Sequence, residues 1–572
     1  MERMYKYGIL TLLFFFGVSV SLQSFSQDKD PSVDEGLSVV EEPLTQEQQK
    51  TIEIREKTLE EIAQPLAGAK LKDVAKIVDE LENKGGEEIL PLFQALVGGN
   101  LYYERESKRL VEAKKREDKR FDIEGVFDKD PVSIADKKAI RKVKTNNRLR
   151  SGLRNKISRI QLFSKKPDAR KEAVANLLGD LDSENIALLI QAQQLEKNKK
   201  VLRAINSALA VSQLKSNDAQ ARLSAINTLS GNLEPIVRNE LLVLLEKNDD
   251  GSYKESNRAV INAAEKAVAS IDGSIKFYGY IETLFFGLSL GSVLLLVAAG
   301  LAITFGVMGV INMAHGEMIM LGAYTTYVIQ LLMPNNIALS ILIAIPAAFI
   351  VSASVGILIE RGVIQFLKGR PLETLLATFG ISLILQQLVR SIFSPLNRQV
   401  ATPEFMSGAM EINPIFSITY NRLYILLFAL IVFFVLQLIL KKTSLGLNVR
   451  AVSQNRDMAK CMGIRTEWVD AMTFGLGSGI AGLAGVALSQ ITNVGPNLGQ
   501  AYIIDSFMVV VFGGVGNLWG TLVGGFSLGV LNKFLEPATG AVLANIIVLV
   551  GIILFIQKRP KGLFPQKGRS AE

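Results

Sequence analysis

Apolar residues are concentrated in the second half of the chain, in long runs separated by short polar loops. A helix needs roughly 20 predominantly apolar residues to cross a bilayer. Runs of about that length occur at 283–308, 311–333, 337–359, 374–394, 422–440, 471–491 and 541–557. A further apolar stretch, 501–535, is interrupted by glycines. The pattern predicts an all-α membrane domain over 278–557, with about eight spans plus a re-entrant or hairpin segment.

The polar first half predicts a separate helical domain over 27–277, because apolar positions between about 46 and 271 recur with a helical period. RKEAVANLLG at 170–179 is similar to RLSAINTLSG at 222–231, and two looser copies follow the same pattern. Small packing positions align in these copies at Ala173, Ala204, Ala225 and Ala259. The similar copies predict a HEAT-like stack of helix pairs. Because their spacing is irregular, an ordinary helical bundle is the alternative.

The first 26 residues have the layout of a secretory signal peptide. A basic start at Arg3 and Lys6 precedes an apolar run from Ile9 and a small-residue exit at Ser24 and Ser26. The alternative is a retained anchor, although the apolar run is shorter than a usual span. Either interpretation places the 27–277 domain outside the cytoplasm.

The charged residues exclude several functional classes. The stretch 104–154 is heavily basic and predicts a solvated helix face or a mobile loop, and we expect no nucleic acid as a partner of an exported segment. The single Cys461 and single His315 exclude a disulfide framework within the chain and a metal site built from several such ligands. We therefore attribute the formal net charge of +8 to basic residues in loops.

Basic loops predict the orientation of the spans, since Lys and Arg collect on the cytoplasmic side. The three basic segments are 360–370, 441–465 and 557–569. Counting crossings from an external residue 280 places all three inside, provided that 501–535 enters and returns as a hairpin. Residues 558–572 would then be a cytoplasmic tail, and the protein a multi-pass inner-membrane protein.

Glycines in the apolar runs predict close helix packing, because small residues let membrane helices approach each other. Gly513, Gly514 and Gly516 permit a tight turn within 501–535. The glycines predicted to form smooth packing faces are Gly475, Gly479, Gly516, Gly520 and Gly524.

A few polar residues within the apolar runs are the candidates for a solute path. An ionisable residue in a span usually faces the bundle interior, a partner or water. If 311–324 is a regular helix, Asn312 and His315 share a face directed at an aqueous path or a polar contact. Glu317 would then bond to a neighbouring helix or lie near the cytoplasmic end. The candidate path residues are Asn312, His315, Glu317, Thr378 and Gln386. The alternative is that interhelical hydrogen bonds of these residues only fix the packing.

The basic segment 447–464 predicts a short amphipathic helix between two spans, which could dock into a groove of a soluble partner. Ala451, Asn455, Ala459 and Met462 stand at helical spacing, and Gly463 is a natural helix stop. A plain basic loop is the alternative.

Three motifs resemble one transporter family. GLAITFGVMGVINMAHGEMIMLGAY at 300–324, AVSQNRDMAKCMGI at 451–464 and FGGVGNLWGTLVGG at 512–525 look like the permease of bacterial ABC importers of the branched-chain amino-acid group. The resemblance covers about 280–565, and the long exported segment before it is similar to the urea branch of that family. It implies a membrane subunit that moves urea by alternating access and is not an enzyme.

The resemblance also implies partners. Such importers combine two permease chains with two cytoplasmic ATP-binding subunits and a periplasmic solute-binding protein. The helix around Asn455 to Gly463 would receive the movement of the ATPase, and the 300–324 motif would belong to the translocation path. No Walker A motif occurs in the chain, so ATP would be bound by other subunits, and no cofactor is expected in this one.

Other classes of function remain open from the sequence. The resemblance also fits a permease for branched-chain amino acids. A passive urea or small-solute channel would share the polar residues but would have no use for a docking helix. A membrane-anchored scaffold would depend on the exported helices alone, and an intramembrane enzyme lacks a plausible catalytic group.

Overall fold

The computed structural model describes residues 58–115, 120–127 and 133–564, and the chain divides into two compact units, 1–153 and 154–572. The predicted signal peptide at 1–26 lies outside the described residues, as does most of the predicted tail at 558–572. Each unit is considered separately below.

In the described part of the first unit, three helices precede an antiparallel sheet. The helices are α1 (Leu59–Ala63), α2 (Leu71–Lys84) and α3 (Leu90–Gly98). The strands are β1 (Leu101–Glu104), β2 (Leu110–Lys115), β3 (Phe121–Gly125), β4 (Ser133–Ala135) and β5 (Ile140–Lys142), in the order β4-β3-β2-β1-β5. Ala113 pairs with Ile123 at the centre of this sheet.

The sheet makes the all-α prediction wrong for this segment. The basic stretch 104–154 was expected to be a helix face or a loop, yet it holds strands β2 to β5. Val111, Ala113, Phe121 and Ile123 are buried, and charged residues occupy the alternate positions. A sheet with one solvated face needs only every second residue to be apolar. The high average charge of 104–154 therefore hid the alternation of apolar and charged residues that is typical of a strand.

The second unit begins with a stack of short helices. Helix α4 (Asn147–Gln161) leads into it. The stack consists of α5 (Pro167–Leu177), α6 (Ser183–Leu195), α7 (Lys199–Gln213), α8 (Ala219–Leu229) and α9 (Pro235–Val243). Ala173 and Ala225 are buried in its core as predicted, and Ala204 is partly buried. The alignment is wrong at Ala259, which is exposed while its neighbour Val260 is buried. A HEAT-like superhelix remains a prediction.

One helix, α10 (Arg258–Met308, 51 residues), belongs to both the stack and the membrane bundle. Its start packs Val260, Ala264 and Ile271 into the core of the stack, whereas its last two dozen residues are almost all buried among apolar helices. It therefore runs without a break through 277–278, where the sequence predicted a domain boundary. Its sequence contains no proline, the usual cause of a sharp kink.

The remaining helices confirm a polytopic membrane protein. They are α11 (His315–Leu332), α12 (Ile337–Gly362), α13 (Pro371–Phe393), α14 (Tyr420–Lys442), α15 (Ser444–Gln454), α16 (Arg456–Cys461), α17 (Thr466–Ser489), α18 (Gln500–Gly513), α19 (Leu518–Thr539) and α20 (Ala541–Lys558). A hairpin of β6 (Ala409–Asn413) and β7 (Phe416–Thr419) joins α13 to α14. Among the described residues, seven helices are long and apolar enough to cross a membrane, one fewer than the predicted eight or so. They are α10, α12, α13, α14, α17, α19 and α20; α11, in the predicted span 311–333, is not among them, and α18 is shorter.

Glycines set the distances between these helices, as predicted. A Cβ on Gly520 would lie 2.0 Å from the carbonyl oxygen of Gly513, so α18 and α19 touch through their backbones. Gly475 and Gly479 face Ile357 and Phe349 of α12. Gly524 lies against the Val509 carbonyl of α18. Gly516 lies in the turn before α19 with φ +78° and not on a helix face, but its backbone packs against Gly306 of α10.

The three basic segments lie at one end of the helix bundle, which we call the basic end. Lys368 contacts Asp470, the residue that also binds Arg456. Lys441 and Arg450 line a cavity of 520 Å³ together with Asn517. The Asn517 amide in turn donates to the Phe564 carbonyl, 3.2 Å away. This convergence is what the positive-inside rule requires of loops on the cytoplasmic side.

Candidate translocation site and coupling segment

The backbone at 309–314 is not helical, so the expectation of a regular helix over 311–324 is wrong. Helix α10 ends at Met308, Gly309 adopts φ +68°, and α11 begins only at His315. The His315 ring lies 3.1 Å from the Val297 carbonyl, about three turns back along α10. The unwound segment therefore returns into the bundle, and α11 begins within it. Irregular backbone at membrane depth occurs only where it is buried in protein or lines a cavity.

A second helix begins opposite the start of α11. Helix α18 starts at Gln500, and Gly499 just before it touches Gly316 through the backbone. Two helix N-termini, each with a partial positive charge, therefore meet inside the bundle. Transporters commonly build their solute site from such interrupted helices.

His315 is buried and fixed to α10. A carbonyl oxygen can only accept, so the His315 Nε2 must carry the proton and donate to the Val297 oxygen at 3.1 Å. The Nδ1 atom has no hydrogen-bond partner. His315 and Glu317 do not bond to each other; Glu317 bonds instead to α13.

Glu317 is the centre of a buried polar network between α11 and α13. Its Oε1 accepts from the Ser382 hydroxyl at 2.9 Å and from the Gln386 amide at 2.7 Å. Its Oε2 has no hydrogen-bond partner. The structure thus joins two of the predicted path residues, Glu317 and Gln386, and adds Ser382.

A polar stripe runs along the buried side of α13. Thr374, Thr378, Ser382 and Gln386 are spaced by four residues and are all buried. Thr378 accepts a hydrogen bond from the Met313 N–H at 3.2 Å and so supports the unwound segment. The sequence search named Thr378 and Gln386 but missed Thr374 and Ser382. The spacing of four was the signal that could have found them.

A cavity of 200 Å³ lies against the unwound segment. Its lining is almost entirely apolar, with Asn312 as the one polar residue: Leu301, Ile311, Asn312, Met313, Leu375, Ile503, Ile504 and Phe507. The Asn312 Oδ1 accepts from the Ala314 N–H at 3.0 Å, whereas its Nδ2 has no hydrogen-bond partner. The cavity therefore lies between the starts of α11 and α18, beside one free amide donor.

The predicted coupling helix is two short helices, so the predicted face of four residues is wrong. Asn455 ends α15 and caps α16, with its side chain accepting from the Met458 N–H at 3.0 Å. Ala459 points into the protein, and Ala451 is partly buried. Gly463 adopts φ +83° just after α16, which confirms the predicted stop. The exposed apolar residues of the segment are Leu447, Met458 and Met462.

The membrane bundle matches a known family. Residues 283–557 match the family model described as branched-chain amino acid transport system, permease component. The high-affinity branched-chain amino acid transport system permease protein BraD of Pseudomonas aeruginosa is 30% identical over 299 residues, which are 50% of this chain and 96% of BraD. The chain belongs to this permease family.

Other relatives agree with this assignment. The permease protein LivH of Salmonella typhimurium is 29% identical over 300 residues, or 51% of this chain and 97% of LivH. The ribose import permease protein RbsC of Bacillus subtilis is 30% identical over 134 residues, or 21% of this chain and 42% of RbsC. No solved structure matches the chain. The permease family model covers neither the first unit nor the helical stack.

Proposed function

We propose that this chain is the membrane subunit of an ATP-driven importer and forms the path for urea. Its partners would be a second permease subunit, two cytoplasmic ATP-binding subunits and a periplasmic solute-binding protein. The observation that carries the choice of solute is the polar stripe of α13, where neutral hydroxyls and an amide surround the single carboxylate of Glu317.

The chemistry of this stripe suits a small uncharged solute with many N–H donors. Urea needs acceptor oxygens, and Glu317 offers a carboxylate oxygen without a protein partner. No lysine or arginine lines the cavity beside Asn312. A zwitterionic solute would have to leave its carboxylate to the backbone N–H groups at the starts of α11 and α18.

Alternating access provides the mechanism. ATP binding and hydrolysis in the partner subunits would move the α15–α16 segment at the basic end. The unwound residues 309–314 separate α10 from α11, and there α11 and its neighbour α18 would shift relative to α10. The chain would thereby open the path to one side and then to the other, and would catalyse no covalent step.

A branched-chain amino acid is the second candidate. The apolar lining of the 200 Å³ cavity could hold a branched aliphatic side chain, which urea does not have. The names of BraD and LivH point to the same solute class. Against this candidate stands the long segment before residue 283, which the permease family model does not cover. Only the sequence resemblance connects this segment to the urea branch.

Uptake of labelled urea and labelled leucine tests both candidates. Cells lacking only this chain would be compared with the same cells after its restoration, each with and without ATP depletion. Urea uptake that requires both the chain and ATP supports the proposal. Rescue of leucine uptake alone would support the second candidate, a permease for branched-chain amino acids. Uptake that persists after ATP depletion would indicate a channel.

A further inference from the structure

A buried charge cluster connects the α15–α16 segment to the bundle at the basic end. The cluster consists of Glu360, Lys368, Arg456 and Asp470. Both terminal nitrogens of Arg456 bind the Asp470 carboxylate, at 2.7 and 3.0 Å. Lys368 binds the same carboxylate at 2.7 Å and reaches Glu360 at 3.4 Å. Glu360 and Asp470 have no exposed surface, whereas the two cations are partly exposed.

The charges within this cluster balance, two carboxylates against two cations. Arg361 stands at the edge, 3.8 Å from Glu360 and stacked on the Trp468 ring at 4.9 Å. Burying such charges adds little net stability, because their desolvation opposes the attraction between them. A pair with two parallel N–H···O bonds does fix geometry closely. The Arg456–Asp470 pair is therefore better suited to hold α16 in place than to stabilise the fold.

Asp470 stands on α17, which packs closely against α10 and α11. Gly477 of α17 faces Gly300 of α10, and Gly482 faces Gly322 of α11, in each case with backbone against backbone. A displacement of α17 must therefore be accommodated by α10 and α11, because protein interiors are close-packed.

Glu360 extends the same connection to α12. Along their length α12 and α17 are held together by Gly356 against Ser478 and by Gly479 against Phe349. Lys368, which binds both carboxylates, closes the cluster across the loop that follows α12. The pair α12–α17 and the short helix α16 thus share one set of charges.

We propose that Arg456 is a positioning residue that passes movement of α16 to α17 and α12 through Asp470. This inference rests on the proposed function, since it assumes that a partner ATPase moves α16. It assigns the coupling to one ion pair and not to the apolar contacts of the segment.

The test is the amount of solute moved per ATP hydrolysed by the complete complex in proteoliposomes. Arg456→Gln removes the bidentate pair, and Arg456→Lys keeps the charge with a single contact. Lys558→Gln is the matched control, since it removes one positive charge from an exposed position at the end of α20, outside the α15–α16 segment. We expect at least a tenfold fall in solute per ATP for Arg456→Gln, a smaller fall for Arg456→Lys, and no change for Lys558→Gln.

The possible results separate the two proposals. A wild-type complex that moves no solute with ATP overturns the proposed function and this inference together. A coupled wild-type complex with an unchanged ratio in Arg456→Gln overturns this inference alone. Proportional loss of hydrolysis and uptake in both Arg456 variants would indicate a purely structural pair, which also overturns it. If Arg456→Gln does not assemble, Arg456→Lys alone decides, and an unchanged ratio in that variant overturns the inference.

Discussion

Gly316 and Gly499 bring two helix starts into backbone contact inside the bundle: a Cβ on Gly499 would lie 1.8 Å from the Gly316 carbonyl oxygen. No side-chain adjustment can relieve a clash with backbone, so Gly499→Ala must separate α11 from α18. We expect this variant to lose about 1–3 kcal/mol of stability, in the range of overpacked sites, and to lose uptake. Thermal unfolding of the purified chain measures the first effect.

Gly551→Ala is the control, because a Cβ there meets nothing within 4 Å. The same methyl group is added to a membrane helix, but without a backbone neighbour. Equal unfolding temperatures for the two variants would contradict the close contact between α11 and α18.

Glu317 holds two buried donors, the Ser382 hydroxyl and the Gln386 amide. Glu317→Ala takes this acceptor from both, although the Gln386 amide keeps its bond to the Ser382 oxygen at 3.2 Å. The Ser382 hydroxyl is then left unsatisfied, which should cost about 1–3 kcal/mol. Glu317→Gln keeps an oxygen for these donors and removes the charge, so we expect it to fold like the wild type. Uptake by this variant then reports whether the charge itself is needed.

Glu373→Gln is the matched control, because Glu373 is an exposed carboxylate at the start of α13. We expect it to leave stability and uptake unchanged. If Glu317→Ala unfolds at the wild-type temperature, the network between α11 and α13 does not contribute to stability.

Glu196 and Arg170 form a largely buried ion pair in the helical stack, with contacts of 2.7 and 2.9 Å. The hydrogen bond from Arg170 holds the pKa of Glu196 below its ordinary value. A lowered pKa stabilises the fold above the unfolded-state pKa of about 4.3, and this stability is lost as the pH falls through the folded-state pKa. Glu196→Gln should therefore destabilise the stack at pH 7 and have little effect at the acidic limit.

Hydrogen exchange of residues 167–213 in the full chain, compared at pH 7 and at a pH below the unfolded-state pKa of about 4.3, measures this dependence. Lys215 and Glu240 provide the control, because Lys215 is 70% exposed and such pairs contribute about 0–1 kcal/mol. A pH-independent effect of Glu196→Gln would show that the charge of Glu196 does not matter.

Met462 is 79% exposed and lies just beyond α16, next to the equally apolar Met458. If this surface docks into an ATPase groove, Met462→Asp should reduce co-purification of the ATP-binding subunits at least tenfold, because it places a charge in an apolar contact. Met410→Asp, on the β6–β7 hairpin, is the control at another exposed methionine. Equal reductions in both variants would argue against a specific docking surface.

The spans were predictable because a bilayer imposes length and apolarity on every helix that crosses it. The interruption at 309–314 was not, since this segment is as apolar as a helix and Asn312 is its one polar side chain. Its unwound backbone is supported by the Thr378 hydroxyl, which is 65 positions away in sequence. A contact between residues so far apart in the chain produces no local sequence pattern from which it could be predicted.

The candidate site was predictable in part for a similar reason. Asn312, His315 and Glu317 are conspicuous because polar groups in spans are costly. Ser382 was missed because a lone hydroxyl in a span can bond its own helix backbone, and it therefore gives a weak signal. The pairing of Arg456 with Asp470 could not be inferred, since the basic loop offers several cations to one carboxylate.

The helix α10 runs without a break from the helical stack into the membrane bundle. Its start lies about 56 Å from the middle of its apolar part, 283–308, so a tilt of about 5° in the bilayer would move the stack by about 5 Å. Any tilt of this helix during a transport cycle would thus become a larger displacement of the stack. Conversely, a protein that binds the stack could tilt α10 and so move the spans packed against it.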